Sequence, residues 1–186
     1  MLGLAHRVMF AMIEDAGGPD VLRAVLDRAE VPCDRHFRLD EDYSDSEWRH
    51  LLVLACETLE MSQPDVEARL AEHFMRDALA RWPAFFDLAS SARDFFLRIP
   101  AIHNGLRARA ASETPRTRAR EKFRVDGFDG FLITRYESPN RLCDLYLALA
   151  RRVIAHYGED ATIEQTTCMK TGYPSCEFRI SWDKLR

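Results

Sequence analysis

The segment TRYESPNRLC, from Thr134 to Cys143, gathers several hydrogen-bond donors. Tyr136, Ser138 and Arg141 each carry a donating side chain, and they stand where a strand pattern passes into a helix pattern. Ser138 followed by Pro139 is typical of a helix start, because serine caps the first turn and proline fits its first position. A helix N-terminus attracts anions through its free amides and its dipole. The segment therefore predicts either a seat for a carboxylate or phosphate, or simple capping of a helix.

A single histidine, His103, lies on the apolar side of another predicted helix, in the segment DFFLRIPAIHNGLRARA. If Pro100 begins this helix, Ile99, His103 and Leu106 share one side of it. Neutral imidazole is a common metal ligand, but no second ligand stands near His103 at the spacing of a zinc site. A porphyrin supplies four ligands by itself, so an isolated histidine suits the axial position of a heme. The alternative is a core histidine whose ring nitrogens are bonded within the protein.

A heme would connect the histidine with the donor segment, because its two carboxylates must be held by the protein. Tyr136, Ser138 and Arg141 are donors of the required kind. The two segments together therefore favour a heme over another metal centre.

Two kinds of pattern divide the chain. The first half carries apolar residues at helical spacing, and Ser44 and Ser62 are each followed three residues later by an acidic residue, as at helix starts. The second half holds two predicted hairpins, KFRVDGFDGFLITRYE and ATIEQTTCMKTGYPSCEFRISW, with an amphipathic helix between them. We expect one α+β domain, in which helices precede a helix-packed, roughly four-stranded antiparallel sheet. Within it, residues 1–62 would form an N-terminal helical subdomain and residues 63–186 a proximal helical and sheet subdomain.

Composition limits the functional classes. The 186 residues carry a formal net charge of -4, which argues against nucleic acid as a partner. No secretory signal and no membrane-spanning apolar run is visible, and the five cysteines indicate thiols in a cytoplasmic protein. We expect no enzyme, because the sequence has neither a nucleophile elbow nor a phosphate-binding glycine loop.

The order of the short motifs resembles that of the heme–nitric oxide/oxygen-binding (H-NOX) family, the domain that also forms the heme sensor of soluble guanylate cyclase. The resemblance begins with MLGLAHRVMFAMIEDAGG and continues through FRLDEDYSDSEW and FFLRIPAIH. Pro115 follows His103 by twelve residues, and YESPN takes the place of the family's Tyr-x-Ser-x-Arg motif. The resemblance spans nearly the whole chain and implies an H-NOX-like fold that binds heme b and senses a gas.

The same resemblance implies the roles of individual residues. His103 would be the axial ligand of the heme iron, and Pro115 would press on the porphyrin. Tyr136 and Ser138 would bond the heme propionates. These roles predict a cofactor site that joins residues distant in the sequence.

The resemblance also implies the gas ligand and the output. Ala5 and Met9 would lie near the distal face, where no tyrosine is evident as a donor to bound O2. Nitric oxide is therefore the expected ligand, with CO as the other gas that such a face favours. Binding of NO would weaken the bond between His103 and the iron. Relatives act on histidine kinases, diguanylate cyclases or chemotaxis receptors, and a separate signalling partner of this kind is implied.

Two positions depart from the family pattern. Asn140 stands where the motif has arginine, and Arg141 comes one place later, about 100° further around a helix. Loss of a charge-assisted contact with a propionate would weaken heme binding by roughly 1.5–3 kcal/mol. Met75 stands where the family often has glycine. A heme-free module on the same fold is therefore an alternative.

Three cysteines near the C-terminus support a further hypothesis. Some H-NOX proteins bind zinc through a cysteine early in the helix, a His-x-x-Cys pair and a last cysteine. Cys143 suits the first position, Cys168 and Cys176 keep the last spacing of seven intervening residues, and Gln165 replaces the histidine. These cysteines could hold zinc with an outside fourth ligand, act as redox thiols, or be small packing residues.

Overall fold

Helices occupy the first part of the chain, and strands dominate the second. The computed structural model describes residues 1–108 and 122–182. Its helices are α1 Gly3–Gly17, α2 Pro19–Arg28, α3 Asp45–Thr58, α4 Gln63–Arg81, α5 Pro83–Asp87, α6 Ala92–Ala108 and α7 Cys143–His156. Its strands are β1 Phe123–Phe128, β2 Phe131–Tyr136, β3 Thr162–Thr167 and β4 Cys176–Ser181. The predicted α+β fold is confirmed, and no helix among these residues is long and apolar enough to cross a lipid bilayer.

The four strands form one antiparallel sheet in the order β1-β2-β4-β3. Both predicted hairpins are present, and Gly130 turns the first with a φ of 77°, a value that favours glycine. Strands β2 and β4 join the hairpins and place Tyr136 opposite Cys176. Cys176, Phe178 and Ile180 are buried along β4, so one face of the sheet belongs to the core.

Helix α4 connects the helical part of the chain to the sheet part. It packs against α1 and α3 on one side and against α7 on the other. The fully buried residues of the helical part include Met12, Ile13, Trp48, Val66 and Leu70. The predicted boundary between residues 62 and 63 coincides with the start of α4 and stays a prediction.

Helix α7 begins four residues later than the Ser-Pro pair predicts. The Ser138 Oγ accepts a hydrogen bond from the backbone N–H of Asn140 at 3.3 Å, and its carbonyl accepts one from Arg141 at 3.1 Å. Arg141 has a φ of 49°, in the left-handed region that interrupts a right-handed helix. Residues 138–141 therefore form a turn, and the prediction that Ser138 caps this helix was wrong.

A carboxylate from another helix caps α7 instead. Glu67 of α4 is fully buried, and its Oε2 accepts the backbone N–H of Leu145, in the first turn of α7, at 2.6 Å. Burial raises the pKa of Glu67, although hydrogen bonds from Gln63 and Leu145 and the charge of Lys170 act in the opposite direction. The predicted anion seat at this N-terminus is thus filled by the protein's own carboxylate.

Helix α6 also differs from the prediction. It begins at Ala92, where Ser91 Oγ accepts the N–H of Asp94 and Asp94 Oδ2 accepts the N–H of Ser90, both at 3.1 Å. Pro100 lies inside the helix and does not begin it. Because proline has no backbone N–H, the helix lacks one backbone hydrogen bond at this position. His103 therefore stands on one continuous helix of 17 residues.

Candidate cofactor site

A cavity of about 760 Å³ lies among α1, α4, α5, α6, α7 and the adjoining ends of β1 and β2. This volume falls in the range of pockets for cofactors and small molecules, roughly 300–1,000 Å³. Its apolar wall includes Leu4, Ala5, Phe74, Met75, Phe86, Phe96, Ile99, Ile102, Leu145 and Leu149. Met75, one of the two positions that depart from the family pattern in the sequence analysis, belongs to this wall.

His103 lines the cavity from α6, next to Ile99 and Ile102. Its ring meets the ring of Phe123 at a centroid distance of 5.1 Å and an angle of 72°. Phe123 in turn stacks on Tyr136 at 5.2 Å. One aromatic ring thus connects the candidate metal ligand on α6 with the donor turn after β2.

Two of the predicted donors, Tyr136 and Ser138, stand on the cavity wall together with Asn140. Tyr136, Ser138 and Asn140 all line it, and all three are buried. Burial raises the pKa of Tyr136 to about 12, although hydrogen bonds with Ser138 and the backbone of Leu142 act against this shift. The phenol therefore stays protonated near neutral pH and keeps a proton to donate. The turn that displaces the helix start brings these donors to one end of the cavity.

Asn140 is held from outside the cavity by Arg49 of α3. Arg49 Nη1 donates to Asn140 Oδ1 at 2.9 Å, and Asn140 Nδ2 is buried without a hydrogen bond of ordinary geometry among the described residues. The sequence analysis did not identify Arg49, because it lies 91 residues from Asn140 and belongs to no motif.

Charged groups line the cavity near the same turn. They are the Met1 ammonium, Asp42, Asp45, Lys122 and Glu137. The ammonium donates to Asp45 Oδ1 at 2.6 Å. Burial by itself would raise the pKa of Asp45, but this hydrogen bond and the ammonium charge lower it. The Asp45 carboxylate is therefore ionised and already bound near neutral pH.

Tyr146 of α7 is a second tyrosine at the cavity, and the sequence analysis did not single it out. It lines the cavity, and its ring packs against Phe178 of β4 at 4.5 Å. Burial raises its pKa well above the usual range, against a smaller opposite effect of Thr134. Tyr146 therefore belongs to the aromatic layer on the sheet, and its hydroxyl stays protonated near neutral pH.

The remaining predicted residues lie in different places. Ala5 lines the cavity, whereas Met9 is fully buried in the helical core and is absent from the lining residues. Arg141 is exposed and lines a smaller groove of about 280 Å³ together with Tyr173. Pro115 lies outside the residues that the structure describes. The structure thus brings Ala5, but neither Met9 nor Arg141, to the cavity.

Cys143, Cys168 and Cys176 form a cluster whose Sγ atoms all lie within 4.8 Å of one another. The Cys143 Sγ is 2.8 Å from that of Cys176 and 3.8 Å from that of Cys168. Burial raises the pKa of Cys143 and Cys176. Burial opposes ionisation of Cys168 too, but hydrogen bonds led by the backbone of Lys170 lower its pKa. Cys168 is therefore the most readily ionised thiol of the cluster.

Comparison with solved structures shows the fold. An H-NOX protein from S. oneidensis in the Fe(II)NO ligation state matches with a TM-score of 0.82 and 21% identity, over 99% of this chain and 100% of that chain. The A71G mutant of an H-NOX protein from K. algicida matches with a TM-score of 0.82 and 19% identity, over 100% of this chain and 98% of that chain. An oxygen-binding H-NOX domain related to soluble guanylate cyclases matches with a TM-score of 0.79 and 18% identity, over 99% of this chain and 96% of that chain.

Comparison of sequences shows the family. Curated proteins give no significant match. The profile of the haem-NO-binding family matches residues 2–165, which is most of the chain. The chain is therefore a member of the haem-NO-binding, or H-NOX, family.

Proposed function

We propose that this protein is a heme-based sensor of nitric oxide that signals to a separate protein. The observation that carries the proposal is that an imidazole, His103, and a group of buried donors line the same cavity. A heme requires both, one for its iron and the other for its carboxylates. Its role is that of a ligand-binding domain, and none of these residues is assigned a catalytic step.

The residues of the cavity fit a heme. The apolar wall suits the porphyrin, His103 would hold the iron, and Tyr136 and Ser138 would donate to the carboxylates. The buried Nδ2 of Asn140, which lacks a hydrogen bond of ordinary geometry, is a further donor for an anionic group. When bound, the heme supplies an iron atom that can take up a diatomic gas.

The choice of gas rests on relatives and on the cavity wall. The S. oneidensis protein has been solved in Fe(II)NO and Fe(II)CO ligation states, and another relative is described as oxygen binding. Leu4, Ala5 and Phe74 give this wall an apolar character where it is formed by α1 and α4. Such a surface offers bound O2 no hydrogen bond, so we expect NO and CO to be preferred.

The output would pass through α6 to the sheet. His103 and β1 are linked because α6 packs on β1 and the Phe123 ring contacts His103. A change in the position of His103 would therefore displace α6 relative to β1. A separate partner, such as a histidine kinase, a diguanylate cyclase or a chemotaxis receptor, would read the altered surface.

Gas titration of the ferrous, heme-loaded protein tests this function. We expect NO and CO to shift the intense Soret absorption band, and we expect air to yield no stable O2 complex. Because the ferrous form without gas is the internal control, each shift is measured against the same sample. A stable O2 complex would contradict the selectivity, and failure to take up heme would contradict the function itself.

The cysteine cluster supports a second candidate function, an oxidation-sensitive or zinc-binding signal. We propose that peroxide oxidises the Cys168 thiolate to a sulfenic acid and releases hydroxide. The Cys143 thiol, whose Sγ is 3.8 Å away, would then attack this sulfur and release water as the disulfide forms. Zinc is the other occupant that three converging thiols admit, and it would need a fourth ligand. Gln165 stands at the histidine position of the zinc-binding pattern, and its Nε2 donates a hydrogen bond to the carbonyl of Thr167.

Replacing Cys168 with serine is expected to abolish the fast loss of two thiols with peroxide, because the most readily ionised sulfur is removed. The Cys33→Ser variant is the matched control, since Cys33 is exposed and outside the cluster. Thiol counting and mass spectrometry follow the oxidation, and a metal assay reports zinc in the same variants. If Cys168→Ser and wild type react alike and neither holds zinc, the cluster has a packing role only.

A further inference from the structure

Position 140 lacks the cationic side chain of the Tyr-x-Ser-x-Arg motif, yet an arginine from another helix is bonded to it. We propose that Arg49 orients the Asn140 amide so that its Nδ2 donates to a carboxylate of the bound heme. Asn140 is then the group that touches the cofactor, and Arg49 is a positioning residue. This inference rests on the proposed heme binding and names a residue for it that no motif contains.

The first step concerns the orientation of the amide. A guanidinium only donates hydrogen bonds, so the Asn140 atom that faces Arg49 Nη1 at 2.9 Å must be the carbonyl oxygen. The amide nitrogen is consequently turned away from Arg49. If Arg49 were absent, the oxygen and nitrogen of the amide could exchange places without losing a hydrogen bond to the guanidinium.

The second step concerns where the amide nitrogen lies. Asn140 is buried and lines the cavity beside Tyr136 and Ser138. Its Nδ2 has no hydrogen bond of ordinary geometry among the described residues. A weaker contact of this nitrogen with the Asp45 carboxylate helps to lower the pKa of Asp45, and it occupies at most one of the two N–H groups. A buried donor without a full partner is costly, so an anionic group placed here would satisfy it.

The third step concerns the charge. Arg49 is exposed, and its bond to a neutral amide contributes little to stability by itself. Its positive charge polarises the amide, however, and makes the N–H a stronger donor toward a carboxylate. The effect of Arg49 should therefore be visible in cofactor retention much more than in folding.

The Asn140→Asp variant tests the donor directly. An aspartate still accepts the Arg49 hydrogen bond and pairs with its charge, but it repels a heme carboxylate. We expect the rate of heme transfer to excess apomyoglobin to rise about 10-fold or more, since a hydrogen bond to a charged group is lost. The urea unfolding midpoint of the heme-free protein should change little, because pairing with Arg49 offsets the repulsion from the nearby Asp45 carboxylate. If Asn140 had a purely structural role, faster heme transfer would be accompanied by a lower unfolding midpoint.

The Arg49→Ala variant tests the positioning role, and Arg28→Ala is its matched control. Arg28 is also exposed and also bonds to α3, through Glu57 and Thr58, but these residues do not line the cavity. We expect Arg49→Ala to accelerate heme loss about threefold to tenfold, because only part of the strength of one charge-assisted hydrogen bond is lost. Arg28→Ala should leave the rate of heme loss unchanged. Arg49→Lys should restore part of the retention.

The outcomes separate this inference from the proposed function. If wild-type protein takes up no heme, both are overturned. If wild type binds heme and Asn140→Asp or Arg49→Ala releases it at the wild-type rate, only the inference is overturned. Heme loss that merely follows a lower unfolding midpoint would also overturn it, because the two residues would then act on folding.

Discussion

Replacement of His103 with alanine is expected to give a folded protein that no longer retains heme. His103 is half-buried at the cavity wall, so its removal deletes few packing contacts from the core. The iron, in contrast, would lose its only protein ligand among the residues assigned to the site. Even the outer partners of metal ligands contribute about 10–100-fold to metal affinity, so we expect heme affinity to fall by about 100-fold or more.

Absorption spectroscopy after expression with abundant heme measures this loss, and two comparisons make it specific. Added imidazole should restore a Soret band to His103→Ala, because the small molecule can occupy the space that the side chain vacates. His36→Ala is the matched control, since His36 is exposed and does not line the cavity. A variant without His103 that kept the wild-type spectrum and heme content would contradict the assignment.

Replacement of Glu67 with alanine is expected to cause the largest loss of stability among these variants. Its carboxylate accepts the N–H of Leu145 at 2.6 Å and joins α4 to the first turn of α7. Without it, a buried backbone donor loses its partner, at a cost of about 1–3 kcal/mol in the free energy of unfolding. Glu67→Gln keeps an acceptor oxygen, so its loss should be much smaller. Urea denaturation of the heme-free protein measures both variants.

The pH dependence gives Glu67 a second signature. Burial raises its folded pKa, so its contribution to stability is largest below the ordinary value of 4.5 and declines as pH rises through the folded pKa. Glutamine does not titrate, so the stability of Glu67→Gln should rise relative to that of wild type over the same pH interval. Glu72→Gln is the control, since Glu72 lies on the same helix in an exposed ion pair with Arg152. Equal unfolding curves for Glu67→Ala and Glu72→Gln would contradict the role of Glu67.

Local patterns were sufficient to predict the elements and the side of α6 that carries His103. Strand-like segments around turn residues in the second half predicted both hairpins, and β2 and β4 each have one buried face. The apolar neighbours of His103 marked the helix face that lines the cavity. These features depend on residues close to one another in the sequence.

Features that depend on distant contacts could not be predicted in this way. The Ser-Pro pair looks like a helix start, but the real start is fixed by Glu67, which lies 78 residues before Leu145. Pro100 looks like a helix start too, but Ser91 and Asp94 begin that helix earlier and tertiary packing carries it through the proline. Arg49, which donates a hydrogen bond to Asn140, is likewise remote in the sequence.

The bond between His103 and a heme iron is tested most directly by resonance Raman spectroscopy of the ferrous protein without gas. The protein is labelled with 15N-histidine and compared with unlabelled protein. We expect an iron–nitrogen stretching band that shifts to lower frequency with the label. In His103→Ala supplemented with unlabelled imidazole, the corresponding band should not respond to the histidine label. A protein that takes up no heme, or a band that ignores the histidine label, would contradict the central claim.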